Sequence, residues 1–370
     1  MDTDRIRFND LHVHEDASEI AAAIDRVVRR GWFVLGPEVE AFEHEFASAC
    51  GSTAAVGVGT GTDAIALVLR AMGIGPGDEV VTTPLSAAYT ALAVVMAGAR
   101  PVFADIDEER LTIDPRAIEA AITPRTAAIL PVHLYGQAAD MDAITAIASR
   151  RGLAIVEDCC QAHLATCGGR PVGTFGAAGA FSFYPTKNLG ALGDGGAVVT
   201  GDSSLADRVR RLRNGGQRTR YHHDEFGVNS RLDELQAAIL RARLPRLRGW
   251  TDARRTLAHA YRAALDGAPV RVPRECDPGH VYHLFPVRSA DRSRFQQHLE
   301  AHHIETLIHY PVPIPRQPAL ADHHPAPCPV ADRVCAEIVS LPLYPSLPLT
   351  AVARSAAVVQ ELGRQPRGAR

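Results

Sequence analysis

Between residues 54 and 200 the chain alternates short unbroken apolar runs with longer segments whose apolar positions recur every three to four residues. The runs at 54–58, 79–83, 101–104, 127–132, 154–156, 180–183 and 197–200 are too short for helices and lack polar alternation. They predict strands buried on both faces. The segments 62–72, 87–96, 115–121 and 141–150 carry the helical period. Strands alternating with helices specify an α/β domain around a mainly parallel sheet, because parallel neighbours need a crossover between them. Two further helices are predicted ahead of this region, at 18–30 and 37–49. After residue 230 the rhythm changes. A helical pattern runs over 230–247 and continues toward 265. A strand follows at 281–288, a helix at 292–302, a strand at 306–309 and a Pro- and His-rich loop at 310–329. We therefore expect a large domain over 1–248, including the N-terminal helical segment, and a smaller C-terminal α+β domain over 249–370. No internal repeat or low-complexity tract is visible.

Charge and composition narrow the function classes. A formal net charge of −3 over 370 residues gives no electrostatic case for nucleic acid or an anionic membrane. Every window of spanning length is interrupted by Gly, Pro or charge, so no transmembrane helix is expected. The acidic start, with Asp2 and Asp4, leads into no apolar core and is not a secretory signal. The 7 cysteines are odd in number and contain no Cys-x-x-Cys pair, which points to a reducing cytoplasm rather than a disulfide framework. Cys328 near His323 and His324 matches no zinc spacing, and no metal site is expected.

Of the 39 Lys and Arg residues, one is lysine: Lys187. Drift toward arginine-rich codons accounts for such a count by itself. So does a site where arginine cannot serve, since a guanidinium stays protonated while a lysine amine can form a Schiff base. The surroundings distinguish the two. Three segments end strands of the α/β region, where such sheets place ligands. The first runs from Gly57 through Gly59 and Gly61 to Thr62 and Asp63, at a strand-to-helix junction. Free N–H groups at a helix start make an anion site there, with Thr62 or Asp63 as the cap. The second delivers Glu157 and Asp158 at a strand end, followed by Gln161 and His163. The third is Phe181-Ser182-Phe183 leading to Lys187 and a glycine-rich turn at Gly193, Gly195 and Gly196. Taken singly, these also read as an ordinary turn, surface charge and a hairpin. Taken together they supply a phosphate cradle, a carboxylate and an amine, which is what pyridoxal 5'-phosphate (PLP) requires.

These segments, with others, resemble the DegT-type nucleotide-sugar aminotransferases among the fold-type I PLP enzymes. The likeness spans nearly the whole chain. It covers Trp32 to Glu38, Gly61 to Ala64, Gly73 to Glu79, Val132 to Gln137, Glu157 to His163, the Lys187 segment, Gly227 to Gln236, His309-Tyr310-Pro311 and Ser340 to Tyr344. The resemblance implies that Lys187 forms the Schiff base and Asp158 pairs with the pyridine nitrogen. It implies that Gln161 meets the phenolic oxygen, and that Gly61, Thr62 and Ser182 hold the phosphate. Asn229 resembles an asparagine that reaches the phosphate across a dimer interface, so a homodimer with shared sites is expected. His163 matches a position near the cofactor. Two departures stand out. Relatives carry an aromatic that stacks on the ring; here Ala88 holds that place, with Tyr89 one residue away. A usual histidine is replaced by Pro315. The implied activity is transfer of an amino group from an amino acid, Glu or Gln, to the keto group of a nucleotide-linked deoxysugar. The turn after the lysine, Gly193-Asp194-Gly195-Gly196, with Arg213 to Gln217 and Tyr221 to His223, most resembles family members that aminate carbon 3. The alternatives are a same-fold enzyme acting on a cyclitol or as a sugar dehydratase, and a non-catalytic protein that senses PLP or a nucleotide sugar. The dehydratase branch has His in place of the lysine, so Lys187 argues against it.

Overall fold

The computed structural model describes residues 5–12, 15–323 and 326–364. The strands are β1 (Ala54–Val58), β2 (Glu79–Thr82), β3 (Arg100–Phe103), β4 (Thr126–Leu130), β5 (Ala154–Asp158), the short β6 (Thr166–Cys167) and β7 (Arg170–Pro171), β8 (Ala178–Ser182) and β9 (Gly196–Thr200). All but β6 and β7 form one 7-stranded sheet in the order β1-β9-β8-β5-β4-β2-β3. Only β9 runs antiparallel to its neighbours. The predicted α/β sheet is thus present, with boundaries shifted by one or two residues at most strands.

Helices α1 (Ala17–Arg30), α2 (Pro37–Ala49), α3 (Gly61–Ala71), α4 (Tyr89–Met96), α5 (Pro115–Ala121), α6 (Met141–Arg151) and α7 (Ser203–Leu212) flank this sheet. One core lies where α3 and α7 cover Val56, Leu130, Val156, Ala180 and Val198. On the opposite face, Phe42 and Phe46 of α2 pack on Phe181 and Phe183. Their rings meet edge to face at 5.1–5.2 Å. The alternation of β8 therefore sends its two phenylalanines to one face and Ser182 to the other.

Helix α8 (Glu234–Arg243) fixes the entry to α2. The fully buried Glu234 carboxylate accepts from the backbone N–H groups of Gly36 (2.9 Å), Glu38 (3.0 Å) and Val39 (2.8 Å). A side chain supplied from across the fold thus satisfies orphan donors of a helix whose own N-cap is a glycine. A Cβ at Gly36 would lie 2.8 Å from that carboxylate.

The hairpin β10 (Gln217–Thr219) and β11 (His222–His223) precedes α8. The predicted helix over 230–247 begins at Glu234 and breaks at a 3₁₀ turn, Leu244–Arg246. Pro245 has no N–H to continue an α-helix. The long α9 (Leu247–Ala264) then packs with α10 (Arg292–Ala301) and α12 (Leu349–Arg364), while α11 (Pro329–Glu337) shares a core with Val132 and Leu134 of the sheet domain. With the antiparallel pair β12 (Phe285–Arg288) and β13 (Ile338–Leu341), three of these helices build a separate core around Tyr261, Phe295, Leu299 and Val352.

The expected strand at 281–288 is shorter than predicted. Val281 and His283 donate instead to Gly136 and Tyr135 of the sheet domain, and Tyr282 takes a positive φ of 46°. The expected strand at 306–309 reduces to a single bridge between Leu307 and Ser340. The predicted loop at 310–329 holds two short 3₁₀ turns, Ile314–Arg316 and Pro318–His323. Helices α7, α11 and α12 and strand β13 were not foreseen. Cys328 is buried ahead of α11, while His324 lies outside the described residues. Among the described residues no helix is long and apolar enough to cross a membrane.

Candidate active site

Strand alternation separates the two carboxylates at the end of β5. Glu157 turns into the protein and is fully buried. It accepts from the N–H groups of Gly173 (2.7 Å), Phe175 (2.7 Å) and Gly176 (2.9 Å) and lies 3.0 Å from His133 Nε2. The other nitrogen of His133 accepts from Ala139 N–H. His133, Glu157 and Cys159 lie close enough to cage an ion. Here, though, the Glu157 oxygens and both His133 nitrogens already have partners, and burial holds the Cys159 thiol well above its ordinary pKa. The cluster is a structural clamp.

Asp158 faces the other way. Its Oδ2 accepts from Thr90 Oγ1 at 2.7 Å and its Oδ1 from the Cys160 N–H at 3.1 Å. Thr90 stands in the first turn of α4, with Ser86 Oγ 3.2 Å from its hydroxyl. Tyr89, the neighbouring candidate for ring stacking, is 65% exposed. Thr90 was missed in the sequence, although a hydroxyl beside the departed aromatic position was a usable signal.

The glycine segment meets both other segments. Gly61 opens α3, and Thr60 caps that helix by accepting from the Asp63 N–H at 3.0 Å, so neither Thr62 nor Asp63 is the cap. The N–H groups of Gly61 and Thr62, inside the first turn, remain for an anion. A Cβ on Gly61 would lie 2.7 Å from Cys160 Sγ and 2.8 Å from Ser182 Cβ. Glycine here allows the helix start, the β8 end and the residue after Cys159 to converge. Ser230 Oγ accepts from Gly59 N–H (2.9 Å) and donates to Asp63 (2.8 Å), bolting the 227–231 segment to the same loop. The next residue back, Asn229, is exposed.

Lys187 sits in a tight turn after β8, its own N–H donating to Tyr184 O. Burial pushes the Lys187 amine below its ordinary pKa, with Cys160 and Asp158 pulling weakly the other way. Gln161 is held at both ends. Its Oε1 accepts from Tyr135 N–H at 2.8 Å, and its Nε2 donates to Tyr310 OH at 2.9 Å, leaving one amide hydrogen. His163 is fully buried beside Phe181 and Phe183, and neither ring nitrogen makes a hydrogen bond of normal geometry. Burial and the Lys187 charge lower its pKa to about 3, against a pull from the Ser182 backbone. Lys187 also lines a cleft of about 860 Å³ together with Asn188, Arg243, Trp250, Arg254 and Tyr344. The segments that hold the two departures are joined, because Ile314 N–H donates to Pro84 O at 2.8 Å. Pro315 is buried in that contact region.

A half-buried lysine, a braced carboxylate and a glycine-lined helix start thus converge at one end of the sheet. The family model of the DegT/DnrJ/EryC1/StrS aminotransferases matches residues 14–360. The chain belongs to this family. Among relatives of this family member, the dTDP-3-amino-3,4,6-trideoxy-alpha-D-glucose transaminase of Streptomyces venezuelae is 49% identical over 355 residues. That match covers 94% of this chain and 93% of the relative. The erythromycin biosynthesis sensory transduction protein EryC1 of Saccharopolyspora erythraea is 50% identical over 334 residues, 89% of this chain and 91% of the relative. The crystal structure of S. venezuelae DesV in complex with a ketimine intermediate superposes with a TM-score of 0.95 at 48% identity, over 98% of this chain and 100% of that one.

Proposed function

We propose that this aminotransferase uses PLP to move an amino group from an amino acid, Glu or Gln, to carbon 3 of a nucleotide-linked keto-deoxysugar. The observation that carries the reading is the half-buried Lys187, standing close enough to the braced Asp158 to feel its charge, with its amine held below its ordinary pKa by desolvation. The residues fit the cofactor. Gly61 leaves room where any Cβ would fill the cradle, and two N–H groups there lack helix partners. Bound there, PLP supplies an aldehyde that condenses with amines and a ring that stores the electrons of a carbanion.

In this reading Gly61, Thr62 and Ser182 hold the phosphate. Asp158, oriented by Thr90 and the Cys160 N–H, keeps a proton on the ring nitrogen. Gln161 spends its remaining amide hydrogen on the phenolic oxygen. Lys187 Nζ would anchor the cofactor and, once freed, would take a proton from, or return it to, the substrate carbon that bears the transferred nitrogen. Asn229, exposed in one chain, reaches the phosphate of a second, so the working unit is a homodimer. The large domain ends near residue 248, and the smaller domain lends Trp250, Arg254 and Tyr344 to the cleft wall. The cysteines are all unpaired, which supports a reducing compartment such as the cytoplasm.

The similarity to transaminases named for dTDP- and UDP-linked 3-amino sugars supports the substrate class and the carbon. The sensory transduction role for which EryC1 is named favours a second reading in which the ligand is bound without turnover. One experiment separates them. The PLP-loaded protein is mixed with L-glutamate or L-glutamine, its absorbance followed, and then challenged with a panel of nucleotide 3-keto-sugars. The proposal expects loss of the aldehyde-form absorbance and its return with one of the sugars. An unchanged spectrum throughout supports the binding-only role.

A further inference from the structure

Arg254, on α9, is a buried cation without an anion. It is 5% exposed. Its hydrogen bonds all leave from Nη1, to the carbonyls of Leu343 (2.9 Å), His283 (3.3 Å) and Tyr282 (3.5 Å). Nε is buried with no acceptor. Other arginines on the same cleft are matched: Arg243 pairs with Asp16 at 2.7 Å and Arg246 with Glu19 at 2.6 Å. No described carboxylate pairs with Arg254. Burial lowers its pKa to about 10, so it keeps its charge at neutral pH. A desolvated charge satisfied only by backbone dipoles is a costly arrangement, and an arriving anion would offset that cost.

The position narrows which anion. Arg254 lines the cleft that Lys187 lines. The His283 residue that accepts from Arg254 through its carbonyl also places its ring Nδ1 3.1 Å from Asn188 Oδ1, and Asn188 adjoins Lys187. The charges of Lys187 and Arg254 both bear on that imidazole, which burial keeps neutral. Of the donors left on Arg254, Nε is closed off from solvent and Nη2 makes no hydrogen bond, so the guanidinium would meet a carboxylate through Nη2. In an amino-acid donor the α-carboxylate is two bonds from the reacting nitrogen, so its receptor must stand beside the lysine. The diphosphate of a sugar aminated at carbon 3 lies further along the substrate.

We propose that Arg254 receives the α-carboxylate of the amino-acid donor. This rests on the aminotransferase reading above. The test uses the PLP-loaded full chain and its Arg254→Gln and Arg254→Lys variants. Each is titrated with L-glutamate or L-glutamine, whichever turns over, and with the same molecule lacking its α-carboxylate. The natural chain should prefer the complete amino acid. Arg254→Gln should raise the half-saturating concentration of the amino acid about 30- to 100-fold, as loss of a charged hydrogen-bond partner does. It should change the response to the decarboxylated analogue far less, so the preference collapses. Arg254→Lys keeps the charge without the planar fork and should fall between. If Arg254→Gln does not fold, the lysine variant decides, since it should still weaken the amino acid selectively. A preference unchanged in either variant, or an equal loss for both amines, would overturn the proposal. Failure of the parent reading looks different: the natural chain itself would show no spectral response to any donor.

Discussion

Thr90 Oγ1 donates to Asp158 Oδ2 across 2.7 Å, tying the first turn of α4 to the end of β5. With the Cys160 N–H on Oδ1, both carboxylate oxygens are fixed before any ligand arrives. Thr90→Val keeps the shape and removes this donor. A hydrogen bond to a charged group contributes about 1.5–3 kcal/mol, so PLP affinity and the donor half-reaction rate should each fall roughly 10- to 100-fold. Asp158→Asn should cost more, since an amide cannot stabilise a pyridinium charge. Equal PLP affinity for Thr90→Val and the natural chain, measured by titrating cofactor absorbance, would refute the orienting role.

Glu157 should behave in the opposite way to its neighbour. It organises three backbone N–H groups of the 173–176 turn, remote in role from the ring. Glu157→Gln turns an amide NH₂ toward donors, and we expect a loss of about 2–4 kcal/mol in denaturant unfolding. The folded fraction should keep near-normal cofactor absorbance. A variant that is stable but cannot hold PLP would instead place Glu157 in the site.

Acid should destabilise the protein before its carboxylates titrate. His163 and His280 have pKa values lowered to about 3, and His283 is held well below its usual range, each chiefly by burial. In the unfolded chain they titrate near 6.5. Between these values the unfolded state binds more protons than the folded one, so stability is full above about pH 6.5 and is lost as pH falls. Each such histidine contributes roughly 1.4 kcal/mol per pH unit in that window. Denaturant midpoints measured from pH 7.5 to 5 should drop steeply below about pH 6. A flat profile would mean that these rings reach solvent.

Much of this was legible in the sequence because unbroken apolar runs have few other uses. Strands β1 to β5, β8 and β9 were found nearly at their observed bounds. The strand-end positions of Asp158, Ser182 and Lys187 followed from that register. The sequence failed where distant residues decide the outcome. The 281–284 stretch looks like a strand, yet its N–H groups bond to Tyr135 and Gly136 in the other domain. Helices α11 and α12 are short-period patterns hidden among prolines and alanines. Spacing alone left Glu157 and Asp158 equivalent; the resemblance chose Asp158, and the pleat puts the two on opposite faces. Thr90 and Tyr310 lie in or beside segments the resemblance marks, but their partners Asp158 and Gln161 are far along the chain; His283 and Arg254 carry no local signal.

The shared-site proposal has its own test. A Lys187→Ala chain and an Asn229→Asp chain are each expected to be inactive, the second because its new charge opposes the phosphate. If Asn229 acts across the interface, a mixed dimer contains one site with both defects and one with neither. Activity should return in part. No recovery in verified mixed dimers, or a fully active monomer, would contradict the assignment.

The central claim is that Lys187 carries the cofactor, and the sequence makes the check unusually direct because no other side-chain amine exists. The PLP-supplied protein is reduced with borohydride, digested and its peptides mapped. The account predicts a single pyridoxyl-labelled peptide, the one containing Lys187, and no label in Lys187→Arg. A protein that takes up no reducible label would contradict it.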